Sequence, residues 1–464
     1  MKYNFSNMSF LKVSIFSLML VVISCSKNET NLVPEVTEEE EIVVEGKLPR
    51  FEIGTNGNVI VDEPKINASI KIYETDKISY EGKVGIEIRG ATSQSFPKKS
   101  YGFETRDANN EDVNVSLLGF PEEEDWILYG PYSDKSLMRN MLIYDLSRDI
   151  DRYASRTKFA ELYIDGIYKG VYVFMEKLKR DGDRIAINKL NNDENTGEDV
   201  TGGYILKIDK TAGSNLGDGY NDLNSFTSSH APTSATMSQE IHFLYEYPDA
   251  EDITEEQKNY ISTYVKQFED ALASNEYANL ETGYEAYIDV DSFIDFFLMN
   301  EISNNVDGYR LSTYMHKDKN EKLEMGPIWD FNLAFGNADY CGGGETNVWA
   351  YKFNERCSED YWEVPFWWER LLEDSAYVSR LKIRWNALRS NEFSDAAIDL
   401  KIETYTTLLN TSAAVRANFA TWDILGMYVW PNNYVGNSYD AEIEYLKSWI
   451  KARVTWLDQA MNNL

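Results

Sequence analysis

The segment GPIWDFNLAFG, residues 326–336, places one ionisable side chain, Asp330, inside an otherwise apolar and aromatic run. An unpaired carboxylate in such surroundings would be costly, because burial favours the neutral form of a charged group. The sequence therefore predicts that a partner compensates the charge of Asp330. The two candidates are a nearby arginine and a bound metal ion.

A second acidic residue, Asp307, follows a strongly apolar stretch through Phe293–Leu298 and precedes Gly308. Two carboxylates at the edge of one core can bind Mg²⁺ while one of them serves as a base. The structural alternative is that Asp307 only stabilises a turn and Asp330 only pairs with an arginine, since aspartate is common in turns. Spacing alone leaves both interpretations open.

The composition bounds the fold and excludes several function classes. A chain of 464 residues with 43% hydrophobic and 14% aromatic residues can bury one large core or two smaller ones. The net charge of −32 argues against nucleic-acid binding by bulk electrostatics. The sequence has no GxxxxGK[ST] loop, GxGxxG turn, HExxH or GxSxG motif, and three histidines make Cys/His metal sites improbable.

The N-terminus has the pattern of a targeting segment. The apolar run Val13–Ile23 is too short to span a membrane, and Ser24 and Cys25 follow it in a manner similar to the lipobox of bacterial lipoproteins. We predict a lipoprotein signal peptide over residues 1–24, acylation of Cys25 and an acidic tether over residues 25–46. The mature protein would be lipid-anchored outside the cytoplasm in a bacterial cell envelope, at the outer membrane or cell surface. The alternative is an ordinary signal peptide with an incidental cysteine.

Residues 47–210 carry mostly strand signals. Lys83–Arg89 alternates apolar and polar residues, and Asp165-Gly166 between two β-rich runs predicts a two-residue hairpin. A further strand is expected over residues 203–209, and Ser136–Ile150 has the spacing of a helix.

From about Asp249 onward helical signals dominate. Thr254 with Gln257 forms a capping box, and Asp291 is positioned to cap a second helix that ends near Ser303. The sequence predicts an α+β fold with a β-rich lobe over about 47–210 and an α-rich lobe over about 211–464. A cleft between the two is the natural site.

The first lobe offers cations for such a cleft. Strand parity puts Lys99 on the same face as Tyr101 and Phe103, where an ammonium needs an anionic partner, whereas Lys98 is expected to be solvated. Arg89 and Arg139 are further cations within reach. Cys341 and Cys357 can pair outside the cytoplasm, although two thiols do not specify a bond.

Several stretches taken together resemble the CotH family, the spore coat protein H group of atypical protein kinases. They occur in the family's order and span roughly Lys83–Asn337: Arg89-Gly90-Ala91-Thr92-Ser93, Pro97-Lys98-Lys99-Ser100-Tyr101, Asp125 to Tyr132, Leu137-Met138-Arg139-Asn140, Gly170-Val171-Tyr172, Met175-Glu176-Lys177, Asn304-Asn305-Val306-Asp307 and Gly326 to Phe331. Each motif alone is weak, but the ordered set is specific.

The resemblance implies a divergent two-lobed protein-kinase-like fold, here one domain over residues 47–464. It implies transfer of the γ-phosphate of ATP, with Mg²⁺ or Mn²⁺, to Ser or Thr hydroxyls of secreted or surface proteins. Carried over by motif, Asp307 is the catalytic aspartate and Asp330 binds the metal. Asn332 stands where many relatives have a second aspartate, so the metal would rest on one carboxylate and an amide.

The nucleotide-binding assignments are less direct. Lys99 is expected to contact the phosphates, Arg89 and Arg139 to clamp them, and Glu176 to lie near the adenine. Two other classes stay open: a noncatalytic, pseudokinase-like surface lipoprotein that binds a protein or glycan, and a glycan-processing enzyme with paired carboxylates. Lys99 favours the kinase over the glycan-processing enzyme, because the latter does not need a buried lysine.

Overall fold

The computed structural model describes residues 46–211, 219–234, 236 and 238–464. The predicted signal peptide, Cys25 and all but the last residue of the predicted tether lie outside the described residues. Within the described ranges, no helix combines the length and the apolar character that crossing a membrane would require.

In the described part of the chain, seven strands close into a barrel in the order β1-β2-β3-β4-β5-β7-β6. Neighbours are antiparallel except β1 and β6, which are parallel. The strands are β1 (Arg50–Gly54), β2 (Ile66–Glu74), β3 (Lys77–Arg89), β4 (Ser100–Arg106), β5 (Asp125–Tyr129), β6 (Thr157–Ile164) and β7 (Ile167–Glu176).

The barrel confirms the sequence signals in this region. Val84 and Ile86 on β3 pack inside against Phe103 and Phe174, as the alternation of Lys83–Arg89 predicts. The hairpin between β6 and β7 turns at Asp165 and Gly166, both with positive φ (48° and 76°), which is the conformation that an Asp-Gly turn favours.

Further strands form a second sheet among the described residues, in the order β12-β11-β8-β10-β9. They are β8 (Tyr204–Ile208), β9 (Ser225–Thr227), β10 (His242–Tyr247), β11 (Thr313–Lys317) and β12 (Leu323–Met325). The expectation that strands give way to helices after about residue 210 was therefore wrong for β9 to β12. Strands of three to six residues offer too little alternation to be recognised in the sequence.

The helices surround this sheet and fill the C-terminal region. They are α1 (Arg139–Asp149), α2 (Glu255–Ala273), α3 (Val290–Ser303), α4 (Phe353–Arg356), α5 (Trp367–Leu371), α6 (Ser375–Arg389), α7 (Asp395–Thr411), α8 (Ala414–Thr421) and α9 (Tyr439–Asn462). A β-rich N-terminal region followed by helices confirms the α+β class. The N-terminal region is a closed barrel, and the two-lobed kinase-like architecture stays a prediction.

The helix caps show what local sequence could and could not predict. The capping box of α2, Thr254 with Gln257, is present as predicted. The cap of α3 is Asp289 rather than Asp291, because the Asp289 carboxylate accepts a hydrogen bond from the Ser292 backbone N–H at 2.7 Å. The helix ends at Ser303, and Asn304 follows in a left-handed conformation (φ 44°).

A buried ion pair joins α3 to α9, two helices that are far apart in the sequence. Glu301 on α3 and Arg453 on α9 are both fully buried, and the guanidinium donates to the carboxylate at 3.1 Å and to the Glu301 carbonyl at 2.7 Å. Burial raises the pKa of Glu301, and Arg453 and two backbone N–H groups oppose this. The pair fixes α3, from which the loop carrying Asp307 emerges.

Two further contacts tie loops to this framework. Lys98 is only 2% exposed, so the prediction of a solvated side chain was wrong: its ammonium donates to the Val171 carbonyl at 2.6 Å and to Asn418 Oδ1 on α8 at 2.8 Å. Cys341 and Cys357 form a disulfide, which settles a pairing that the sequence left open.

We predict that Arg453→Met lowers the free energy of unfolding by about 3–5 kcal/mol, because Glu301 would keep a buried charge without its partner. The measurement is the midpoint of urea unfolding followed by circular dichroism. Lys451→Met, at an exposed position on the same helix, is the matched control and should change little. Equal midpoints for the two variants would contradict the role of the pair.

Candidate active site

A cavity of about 720 Å³ lies between the barrel, the second sheet and the loops that follow α3. Its size is in the range of small-molecule sites, which is about 300–1,000 Å³. Charged side chains dominate its lining: Asp62, Glu63, Glu87, Asp125, Asp209, Glu246, Asp249, Asp307, Asp330 and Asp360, with Lys65, Arg89, Lys177, Lys207, Lys210 and Arg310. Asp307, Asp330, Asn332 and Arg89 thus meet at one site.

Helix α1 holds the backbone around Asp330. The Asp330 N–H donates to the Tyr144 hydroxyl at 3.0 Å, and the Phe331 N–H donates to Asn140 Oδ1 at 2.7 Å. Asn140 and Tyr144 are four residues apart and share one helix face. Asp330 itself has a left-handed backbone (φ 60°), so the segment turns sharply and directs this carboxylate into the cavity.

Within the described ranges, the carboxylate of Asp330 has no protein partner. Among these residues it accepts no hydrogen bond and forms no ion pair, and its side chain is exposed where it lines the cavity. Burial raises the pKa of Asp330 to about 7, with Asp307 and Asp209 adding to the effect and Arg89 and Lys210 opposing it. Such an environment fits a cation-binding carboxylate better than a member of a completed ion pair.

Asp307 lies in the loop after α3, and its two carboxylate oxygens differ in their contacts. Its Oδ1 accepts from Arg310 Nη2 at 2.9 Å and from the Tyr340 hydroxyl at 3.4 Å. Its Oδ2 has no partner among the described residues. The Asp307 carbonyl also accepts from Leu311 N–H at 2.9 Å, so the residue stabilises a turn and presents a carboxylate oxygen to the cavity at the same time.

The donor set fits a hard divalent cation. Asn332 lines the same cavity two residues after Asp330, and its side-chain amide has no hydrogen-bond partner among the described residues. A carboxylate and an amide oxygen, completed by water and phosphate oxygens, are the ligands that Mg²⁺ accepts. Asp330 and Asn332 are therefore the residues that could hold a metal.

Arg89 is a cation available to an anionic ligand. It ends β3, lines the cavity, and its guanidinium carbon lies 5.8 Å from the ring centroid of Trp329. Among the described residues it has no ion pair within 4.0 Å. Burial lowers the pKa of Arg89, and the charge of Glu87 and Asp330 opposes this.

Lys99 does not reach the cavity. Its ammonium donates to the Gln94 carbonyl. The parity argument correctly put Tyr101 and Phe103 on one face, and both pack into the barrel core. Phe103 also lines the cavity, together with Ser100 and Gly102 from the other face, but Lys99 does not. The structure gives no support to a phosphate contact from Lys99.

Arg139 and Glu176 are also placed away from the ligand space. Arg139 is 1% exposed, pairs with Asp134 and donates through Nε to the Ala334 carbonyl at 3.1 Å, so it anchors the segment after Asp330. Glu176 is 1% exposed and pairs with Arg156 at 2.7 Å. Neither residue lines the cavity, and each charge is paired with an opposite charge elsewhere in the protein.

Lys207 is the lysine that the sequence analysis missed. It lies on β8, the central strand of the second sheet, lines the cavity and pairs with Glu246 on β10 at 2.9 Å. Burial alone would lower the pKa of Lys207, but Glu246, Tyr314 and Asp209 raise it, so the ammonium stays charged. Its signal was available in YILKID, residues 204–209, where one lysine interrupts an apolar strand.

Comparison with known families agrees with this site. A family model described as "CotH kinase protein" matches residues 86–457, which is most of the chain and includes every lining residue from Glu87 to Trp430. The chain belongs to the CotH family. No curated protein matches it in sequence. Membership of the CotH family suggests kinase activity and implies ATP and a divalent metal ion in general terms.

We predict that Asp330→Asn raises the melting temperature of the metal-free protein, because it removes one of several mutually repelling carboxylates. The same variant should lose the stabilisation that Mg²⁺ gives the wild type, which is about 2.7 kcal/mol at one hundred times the dissociation constant. Thermal melts in EDTA and in Mg²⁺ measure both effects.

Glu63→Gln is the matched control for this prediction, since it removes a different cavity carboxylate and should retain the response to Mg²⁺. A response of equal size in Asp330→Asn and wild type would show that the metal binds elsewhere.

Proposed function

We propose that this CotH-family protein is an atypical Ser/Thr protein kinase that transfers the γ-phosphate of ATP to hydroxyls of secreted or surface proteins. The observation that carries the proposal is the carboxylate of Asp330, which lacks a partner among the described residues and opens into the same cavity as Asp307 and Arg89. Phosphoryl transfer needs such a set: a metal ligand, a group that orients the hydroxyl, and cations for the phosphates.

Asp330 and Asn332 are the proposed ligands of Mg²⁺ or Mn²⁺. When bound, the metal would neutralise charge on the phosphate oxygens. Arg89 supplies a fixed positive charge from the barrel, and Lys207 supplies another from the second sheet. In this proposal Lys207 replaces Lys99, Arg139 and Glu176, which do not line the cavity, as the further contact to the nucleotide.

Asp307 is the proposed catalytic residue. Arg310 and Tyr340 hold its Oδ1, which leaves Oδ2 to accept the hydrogen bond of the acceptor hydroxyl. In the transfer, the hydroxyl oxygen forms a bond to the γ-phosphorus, the bond from that phosphorus to the bridging oxygen breaks, ADP leaves, and the hydroxyl proton passes to Asp307. Holding acceptor and donor in line supplies much of the rate enhancement.

The adenine is proposed to lie against Ile127, Met175 and Leu178, which give the cavity an apolar wall beside Lys177. With the barrel on one side of the cavity and the second sheet and the loops after α3 on the other, we interpret the chain as a divergent two-lobed kinase-like domain. The barrel would correspond to the β-rich lobe of that architecture.

Label transfer from radioactive ATP tests the function. With Mg²⁺ or Mn²⁺, the wild type should label itself or an added acceptor protein, and Asp307→Asn should abolish turnover while keeping Mg-ATP affinity within a few fold. Asp330→Ala should lose the metal and the transfer. Equal transfer by the wild type and both variants would show that this cavity is not the active site.

Two lysine variants test whether Lys207, assigned from the structure, or Lys99, assigned from the sequence, contacts the nucleotide. Lys207→Met should lower kcat/KM for ATP about 100-fold, because it removes a buried cation from the cavity. Lys99→Met, the matched control, should stay within about threefold of wild type because its ammonium binds only a backbone carbonyl among the described residues. A larger loss of kcat/KM in Lys99→Met than in Lys207→Met would instead support Lys99 as the phosphate contact.

A noncatalytic surface protein is the second candidate, and Asn332 is the residue that favours it, because an amide in place of a carboxylate weakens metal binding. Calorimetry distinguishes the two. Mg-ATP binding without transfer to any acceptor would support a binding protein, and absence of both would argue against a nucleotide site.

We further propose that Cys25 is acylated and that the protein is anchored by this lipid outside the cytoplasm of a bacterium, at the outer membrane or cell surface, where it meets its protein substrate. The support is the Ser24-Cys25 junction after a short apolar run. Cys25→Ser should move the protein from the membrane fraction to the soluble envelope fraction. Unchanged fractionation would contradict the anchor.

A further inference from the structure

The loop between α8 and α9 exposes four consecutive apolar residues, Met427-Tyr428-Val429-Trp430, which we call the apolar patch. Met427 and Tyr428 are each 55% exposed and Trp430 is 48% exposed, while Val429 is half-buried. Single exposed apolar residues are ordinary, but a run of large ones at the mouth of a cavity indicates a binding surface.

The patch stands on a fixed backbone. The Lys135 ammonium donates to the Met427 carbonyl, and the Asp339 N–H donates to the Pro431 carbonyl at 2.9 Å. Asn432 is buried and donates to the Ser133 carbonyl at 2.7 Å. The loop is therefore ordered before a partner arrives, which lowers the entropic cost of binding.

The patch is continuous with the proposed acceptor position. Trp430 lines the cavity and stacks on Tyr340, with ring centroids 6.2 Å apart and planes 5° apart. The Tyr340 hydroxyl is 3.4 Å from Asp307 Oδ1. A molecule that presents its hydroxyl to Asp307 would extend along Tyr340 and Trp430 toward the rest of the apolar patch, which follows in the same loop.

The chemistry of the patch favours a polypeptide over a sugar. A sugar site combines an aromatic face with side chains that bind hydroxyls, but Met427 and Val429 offer only a thioether and an aliphatic group. The Tyr428 hydroxyl already donates to Asp339 at 2.7 Å. Methionine and aromatic residues are enriched at the cores of protein interfaces.

We infer that the apolar patch binds an apolar side chain of the acceptor polypeptide, close in sequence to its phosphorylated Ser or Thr. The inference rests on the proposed kinase function and assigns the acceptor class to one surface of the same site. Trp430 and Met427 then determine which acceptor residues are phosphorylated, whereas Asp307 and Asp330 act on every acceptor.

A positional peptide library tests this with the full-length protein. Each peptide carries one Ser or Thr in an alanine-rich background, with Leu or Phe moved through the five positions on either side. One position should raise kcat/KM about tenfold over alanine, through a lower KM. Met427→Ser and Trp430→Ala should remove that preference, and Ile383→Ser, at a still more exposed apolar position on α6, should keep it.

The other outcomes separate the two proposals. An absent positional preference, or one that survives in both patch variants, overturns the role of the patch. Transfer to an oligosaccharide but to no peptide would overturn the polypeptide acceptor and would keep only phosphoryl transfer at this cavity. Mg-ATP binding, measured by calorimetry, without transfer to any acceptor would overturn this inference and favour the noncatalytic candidate. Failure to bind Mg-ATP at all would overturn the proposed function and this inference together.

Discussion

Mutual repulsion among carboxylates at the cavity is the constraint on which the rest of the structure depends. Burial raises the pKa of Asp330, and the negative charges of Asp307 and Asp209 raise it further. A site of this kind collapses or rearranges unless the surrounding elements hold it open. The fold does so with cations that are already committed: Arg139 anchors the segment after Asp330, Arg310 binds Asp307, and Arg453 fixes α3.

The buried cations in and around the cavity fall into two groups. Arg139, Arg310 and Arg453 are nearly fully buried and hydrogen-bonded to backbone carbonyls as well as to carboxylates, so they act as structural cross-links. Arg89 has no ion-pair partner among the described residues, and Lys207 has one. Arg89 retains the most capacity to neutralise an incoming ligand, because a cation that is already paired gains less from another anion, and Lys207 would contribute while it also holds Glu246.

The local part of the fold could be predicted from sequence. Alternation in Lys83–Arg89, the Asp165-Gly166 turn and the capping box at Thr254 each depend on neighbours within a few residues, and each is present. Asp307 and Asp330 were recognisable because a charged residue in an apolar context is conspicuous. Predictions were wrong where they required knowing what each face of a strand packs against. The face on which Lys99 was placed packs into the barrel core. Lys207 could be assigned only once Glu246 and Tyr314 were known to flank it on neighbouring strands.

Closure of the barrel also bears on how the protein behaves at high concentration. A sheet edge exposes unpaired N–H and C=O groups that can recruit another chain, and closure of β1 onto β6 removes that exposure from the barrel among the described residues. In the same described ranges the second sheet keeps two edges, β9 and β12, and each is only three residues long. Short edges are poor templates for strand addition, so a protein rich in β-structure can be concentrated with little tendency to aggregate edge to edge.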